Sequence, residues 1–132
     1  MKVKVGADGL DELVARLRKV DDGPKLTAVL APTQPEVARL VETDATSNAR
    51  GRQMSKAVAS NKYRPNKGSV TITVGGTGSD RSWAVGAQFG AKRFRQFPWF
   101  RRDGYTVVPA IKDNADDIAD IYADAITAII DP

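Results

Sequence analysis

GSVTITVGGTGSDRSWAVGAQFG, residues 68 to 90, is the stretch on which the reading of the fold turns. Its opening is β-branched and flanked by glycines, with Val70, Ile72 and Val74 on one side of an extended chain. TGSD supplies a turn, and RSWAVGAQFG resumes a period of two, with Trp83, Val85, Ala87 and Phe89 on one side. The pattern predicts an antiparallel hairpin with a loop of about five residues. Gly75-Gly76-Thr77-Gly78 resembles a phosphate-binding loop in composition. No Lys-Ser/Thr follows it and no helix is expected to open after it, so a turn is the better reading.

Upstream, MKVKV alternates and predicts a short strand with Val3 and Val5 on one face. Asp8 is placed to cap a helix over residues 9–20, whose stripe is Leu10, Leu13, Val14, Leu17 and Val20. Acids near its start and Arg16, Arg18 and Lys19 near its end suit the helix dipole. Gly23-Pro24 ends it, and a short helix is expected before Pro32. Thr33 and Glu36 have capping-box spacing. A second helix follows with Val37, Leu40, Val41 and Ala45 on one face. RGRQMSKAVASNKYRPNK, residues 50–67, is basic and poor in large apolar residues, and reads as a loop or as a helix continuation that melts into one.

Downstream, Gly104 to Val108 reads as extended, and Pro109 suits the first turn of a helix running to Ile130. Its apolar stripe is Ile111, Ala115, Ile118, Tyr122, Ala125 and Ile129. Asp113, Asp117, Asp120 and Asp124 form an acidic stripe without basic partners four residues on. The expected fold is therefore α+β in a single domain, 1–132. A small antiparallel sheet (the hairpin plus the N-terminal strand) packs against two to three helices, including a long C-terminal one. A basic loop at about 50–67 and an aromatic, basic excursion at about 92–103 interrupt it.

Composition narrows the chemistry. The 132 residues are 42% hydrophobic and 27% charged, as in ordinary globular domains. No apolar run reaches the roughly 18–20 residues that span a bilayer, and the N-terminal stretch lacks the features of a secretory signal. With neither Cys nor His, disulfides, thiolate chemistry, His/Cys zinc sites and His-based acid–base catalysis are excluded. Asp116 and Asp117 point in different directions on a helix. Asp113 and Asp117 could approach one another to hold a cation, but a solvated face is the simpler reading. No nucleophile–base–orienter series is visible, so neither an enzyme nor a bound cofactor is expected.

The net charge of +4 is unevenly spread: residues 50–102 hold twelve cations and one acid, Asp80, whereas residues 103–132 hold Lys112 against seven Asp. Such a chain can contact a polyanion, or a copy of itself end to middle. Residues 86–111 concentrate the question, with six of the nine aromatics and five cations, Lys92, Arg93, Arg95, Arg101 and Arg102. Phe94, Phe97 and Phe100 recur every third residue, which a loop can use to dock on its own domain. Together with Trp99 they serve equally as an inter-subunit contact. Cations with interleaved rings also suit nucleic acid, though no recognised nucleic-acid module is present.

Trp83-Ala84 with Gln88-Phe89-Gly90, Phe97 through Phe100, and Val108-Pro109-Ala110 with the helix behind it resemble the tail-component family of long-tailed bacteriophages. Its members are described as neck, head–tail connector or tail-completion proteins. Arg50-Gly51-Arg52 with Met54 and Ser55 loosely resembles the family's Gly-containing segment. The chain departs from the usual Glu-Phe-Gly-Thr by having Gln88-Phe89-Gly90-Ala91, lacks the usual Pro ahead of the Gly segment, and has a longer, more basic aromatic loop.

The resemblance implies a virion protein, made in the host bacterial cytoplasm, whose copies form a ring expected to be a hexamer at the head–tail junction. Its partners would be the head connector and the tail-tube or tail-terminator proteins. Genome DNA would pass through the ring without sequence recognition, and no membrane is involved. Heterologous contacts build such rings. The expected interface pairs Arg93, Phe94, Arg95, Phe97, Trp99, Phe100, Arg101 and Arg102 with Asp113, Asp117, Asp120 and Asp124 of a neighbour. Arg50, Arg52, Lys56, Lys62, Arg64 and Lys67 are candidate contacts along the DNA path. A tail-terminator ring protein and a stand-alone basic nucleic-acid-binding protein are the alternatives. A ring predicts assembly; a stand-alone binder predicts salt-sensitive affinity for DNA.

Overall fold

The computed structural model describes residues 1–20, 25–79, 81–92 and 96–131. Along it run β1 (Lys2–Val5), α1 (Asp11–Arg18), α2 (Leu26–Leu30), a 3-10 turn (Ala31–Thr33), α3 (Gln34–Asn48), α4 (Gly51–Val58), β2 (Lys62–Pro65), β3 (Val70–Thr73), α5 (Arg81–Phe89), α6 (Val107–Asp113) and α7 (Ala115–Ile130). The class is α+β: a three-stranded antiparallel sheet in the order β1-β3-β2, with more helices than the two to three expected and a long C-terminal one among them.

The hairpin lies one element earlier than the sequence pattern predicts. β3 pairs with β2 through a turn closed by Asn66 N–H to the Ser69 carbonyl at 2.8 Å, and with β1 on its other side. Residues 50–67 are therefore not a loop; they hold α4 and β2. Pro65 is tolerated because β2 is an edge strand, where the missing N–H faces no partner strand. Gly75 and Gly76, at φ 82° and 70°, turn the chain out of the sheet after β3. With both sides of β3 already paired, residues 81–89 form helix α5 instead of a strand.

Other local expectations also change. Leu10 is the N-cap of α1 with no side-chain capping bond, so Asp8 does not cap it. Thr33 donates its hydroxyl to the Leu30 carbonyl at 2.7 Å rather than closing a capping box. The 3-10 turn runs directly into α3, with Thr33 itself helical at φ −88° and ψ −18°, so no open helix end is left to cap. The Gly23-Pro24 break lies outside the described residues. Gly104 to Thr106 form turns rather than a strand.

The expected helix from Pro109 to Ile130 is two helices that meet at Asn114. Its side chain donates to the Ala110 carbonyl at 2.8 Å and also to the Asp44 carboxylate on α3. Within α7 the buried stripe is Ile118, Tyr122 and Ile126, while Ile129 is 39% exposed. The sheet's inner face (Val5, Val70 and Ile72), α3 and α7 join in one core cluster that also takes in Leu17, Leu30 and Phe89. Tyr122 Oη donates to Gln34 Oε1 at 2.7 Å, and the Gln34 Nε2 donor has no partner among the described residues. Ala57, Ala84 and Ala87 form a second, smaller cluster with Trp83 and Phe97.

Candidate functional site

α4 and α5 pack through alanines, which lets their backbones approach closely and leaves Gln88 fully buried between them. Gln88 Nε2 donates to Asn61 Oδ1 at 2.7 Å and to the Ala57 carbonyl at 3.2 Å. Its Oε1 accepts from Asn61 Nδ2 and from Thr106 Oγ1, both at 2.8 Å. Asn61 Oδ1 also accepts from the Gly75 amide at 2.8 Å, and Asn48 Nδ2 donates to the Thr106 carbonyl at 3.2 Å. The paired side-chain amides of Gln88 and Asn61 thus tie α4, α5, the exit from β3 and the approach to α6 together. A buried polar network satisfied to this degree fixes a single arrangement.

The aromatic segment is strapped to this unit. The Ala91 amide donates to the Pro98 carbonyl at 3.0 Å, Arg101 to Phe89 at 2.9 Å, and Tyr105 to Gln88 at 2.8 Å. Glycine is required at two of the contacts. At Gly90 (φ 82°) an added Cβ would lie 2.5 Å from the Trp99 carbonyl oxygen, and at Gly86 it would lie 2.7 Å from the Phe97 ring. With its amide oriented to suit its neighbours, Gln53 donates to the Gln96 carbonyl at 2.8 Å and accepts from Trp83 Nε1 at 3.3 Å.

The rings divide into two sets. Phe89 and Tyr105 are buried, and Phe97 packs on the alanine cluster. Trp99 and Phe100 remain 71% and 43% exposed. Cations lie over several rings: Arg101 and Arg50 over Tyr105, centred 4.4 and 5.4 Å away, Lys92 over Phe100 at 5.6 Å, and Lys56 over Trp83 at 5.9 Å. Each such contact stabilises by roughly 0.5–1 kcal/mol at an exposed site. Arg50, Lys56, Lys92 and Arg101 therefore coexist with the rings by lying over their faces.

Of the residues singled out from the sequence, Phe97, Trp99, Phe100, Arg101 and Arg102 share this strap; Arg93, Phe94 and Arg95 lie outside the described residues. Asp117, Asp120 and Asp124 are exposed along α7, while Asp113 belongs to the separate helix α6. Lys112 donates to the Asp103 carboxylate at 2.6 Å, which holds that carboxyl below the usual range. The basic residues of 50–67 are not one surface. Arg50, Arg52 and Lys56 accompany α4, Lys67 sits on the β2–β3 turn, and Lys62 and Arg64 share the sheet's outer face with Lys2 and Lys4. The last two escaped the sequence reading, although the alternation in MKVKV already points both lysines away from Val3 and Val5.

A helix does open after the Gly75–Gly78 loop. The Gly75 and Gly76 amides nonetheless go to Asn61 Oδ1 and the Thr73 carbonyl, and the Arg81 amide to the Gly78 carbonyl. These donors are satisfied within the fold, so the loop remains a turn. Among the described residues no group of His, Cys, Asp or Glu is placed to hold a metal ion, and no helix is long and apolar enough to cross a membrane. Searches of protein-family profiles, curated proteins and solved structures return no match for this chain.

Proposed function

We propose that this chain is a structural subunit of a bacteriophage virion that associates in a ring at the head–tail junction, between head connector and tail tube, around the DNA path. Its role is to join rather than to catalyse. One observation carries the reading. The subunit presents an exposed aromatic–cationic edge (Trp99, Phe100, Lys92 and Arg102) and an exposed acidic helix face (Asp117, Asp120 and Asp124). Large exposed rings mark contact sites, and aromatic and Arg side chains are enriched at interfaces. Two unlike faces on one chain suit a heterologous contact, which closes into a ring when the rotation permits. The family resemblance carried by Gln88-Phe89-Gly90 and Val108-Pro109-Ala110 supplies the setting, with a tail-terminator ring as the variant reading.

Charge reversal tests it. Asp117→Lys with Asp120→Lys should abolish completion of particles in a complementation assay while leaving the thermal midpoint of the free subunit unchanged. Reversing Lys92 and Arg102 to Asp in the same chain should restore part of the function. Normal assembly by the helix double variant at low salt, where such contacts are strongest, would remove this pairing.

A further inference from the structure

We infer that the outer face of the three-stranded sheet binds the phosphate backbone of nucleic acid without reading its sequence. The register creates this face from distant parts of the chain. Lys2 and Lys62 both pair with Thr73, and Lys4 and Arg64 both pair with Thr71. Successive residues of a strand point to opposite faces. The inner face therefore takes Val3, Val5, Tyr63, Val70 and Ile72, and the outer face takes all four cations with the two threonines between them. The cations are exposed and the threonines half-buried. Cations in one row lie about 10 Å apart, two strand spacings, and the two rows are about 6.8 Å apart.

Several observations favour phosphate over other occupants. No acidic residue belongs to the three strands, and among the described residues neither ion pair involves a cation of this face. Asp8 lines a small cavity with Lys4 but is not among those pairs. Charge on an edge strand also discourages pairing with another chain, but either sign would serve that purpose, and here every charge is positive. The face has no apolar side chain at its centre. Protein–protein interfaces are apolar at the core and depleted in Lys, whereas nucleic-acid interfaces are polar and strongly cationic. The threonine hydroxyls at the centre of each row add neutral donors for phosphate oxygens. The sheet offers no ring for stacking, since Tyr63 turns inward, so base recognition is not expected.

This goes beyond the ring reading by assigning DNA to one face of the subunit, and it does not depend on assembly. Four phosphate contacts give a logarithmic salt slope of about −3.6, so affinity should fall about a thousandfold between about 20 and about 150 mM salt. Binding by the free subunit should accordingly be weak at physiological salt and clear below it.

The test is fluorescence anisotropy of a labelled DNA duplex titrated with the full chain across a salt series. Threonine preserves strand propensity, so Lys4→Thr with Arg64→Thr should leave the thermal midpoint intact and flatten the slope by about 1.8. Lys4→Arg with Lys62→Arg should retain the slope. Arg18→Gln with Arg39→Gln removes equal charge from exposed positions on α1 and α3 and should leave the slope nearly unchanged. Absence of low-salt binding by the unaltered chain overturns the inference, as does equal flattening by the sheet and control pairs. Loss of self-association in the sheet variant with DNA affinity intact also overturns it, and gives the face to a second copy. Loss of DNA affinity with particle assembly intact supports the inference and leaves the ring reading standing; failure of assembly in the α7 variants with no change in DNA affinity separates the two in the other direction.

Discussion

Around Tyr122 the protein packs large aliphatic side chains from the sheet, α3 and α7, and the polar groups buried there are few: the phenol, which donates to Gln34 Oε1, and the Gln34 amide, whose Nε2 has no partner among the described residues. Around Gln88 it packs alanine and glycine, and most of the specification comes from hydrogen bonds. The first region owes its stability to apolar area removed from water, which is non-directional and tolerant of small rearrangements. The second owes its shape to close backbone approach, where one added methyl group or one missing donor has no room to be absorbed. Over its described residues the aromatic strap is anchored on the second kind of surface, through Phe97 and the Pro98–Trp99 backbone.

The largest expected effect lies in the aliphatic region. Ile118, 4% exposed, changed to Asp should cost about 4 kcal/mol or more, because it buries an unpaired carboxylate. A denaturant midpoint within error of the parent would break the assignment of α7 to the core. Next comes Gln88→Leu, which keeps the volume but leaves the Asn61 amide and the Thr106 hydroxyl short of partners. The expected loss is about 3 kcal/mol, read by urea denaturation. A neutral result would mean that apolar packing, not the network, holds α4 to α5.

Gly86→Ala sharpens the contrast. The new methyl meets the Phe97 ring, and overpacking of this kind costs about 2 kcal/mol. Displacement of the strap should also open Arg101 and Arg102 to trypsin in limited proteolysis; unchanged cleavage would show that Phe97 is not the anchor.

Tyr122→Phe should cost about 1 kcal/mol through the lost bond to Gln34. Burial raises the Tyr122 pKa, so the fold favours the neutral phenol. That contribution is intact below the unfolded tyrosine value of about 10 and is lost as pH rises through and beyond it. The variant should therefore lose less stability than the parent between about pH 9 and 11, although Tyr63, also raised by burial, keeps part of the alkaline sensitivity in both. Equal alkaline slopes would place the titration elsewhere. Smallest of all, Trp99→Ala should change stability by no more than about 0.5 kcal/mol because the ring is 71% exposed. A larger loss would make Trp99 part of the domain rather than a contact surface.

The parts of the fold that were legible are those with a sustained aliphatic period: β1, β3, α1, α3 and the C-terminal helix. α5 was not legible, because Trp83, Val85, Ala87 and Phe89 alternate while Ala84, Ala87 and Gln88 have helical spacing, and so short a run satisfies both periods. β2 was hidden because KYRP has a single inward aromatic and a proline that only an edge position tolerates. The break at Asn114 was hidden because the Asp44 carboxylate that helps hold it comes from another helix. In the candidate site, the concentration of rings and cations was visible in the residues themselves. Which rings stay exposed was not, because that depends on glycines that admit Phe97 and the Pro98–Trp99 backbone.

The sequence by itself determined the α+β class, the aliphatic stripes, and an uneven charge distribution, since these follow from composition and local periodicity. Only the tertiary structure decided which strand neighbours β3, and so which lysines share a face. The register that sets Lys2 beside Lys62 runs through Thr73, 71 positions beyond Lys2 (73 − 2) and 11 beyond Lys62 (73 − 62), and hydrogen bonding between strands carries no local signature that either segment displays alone.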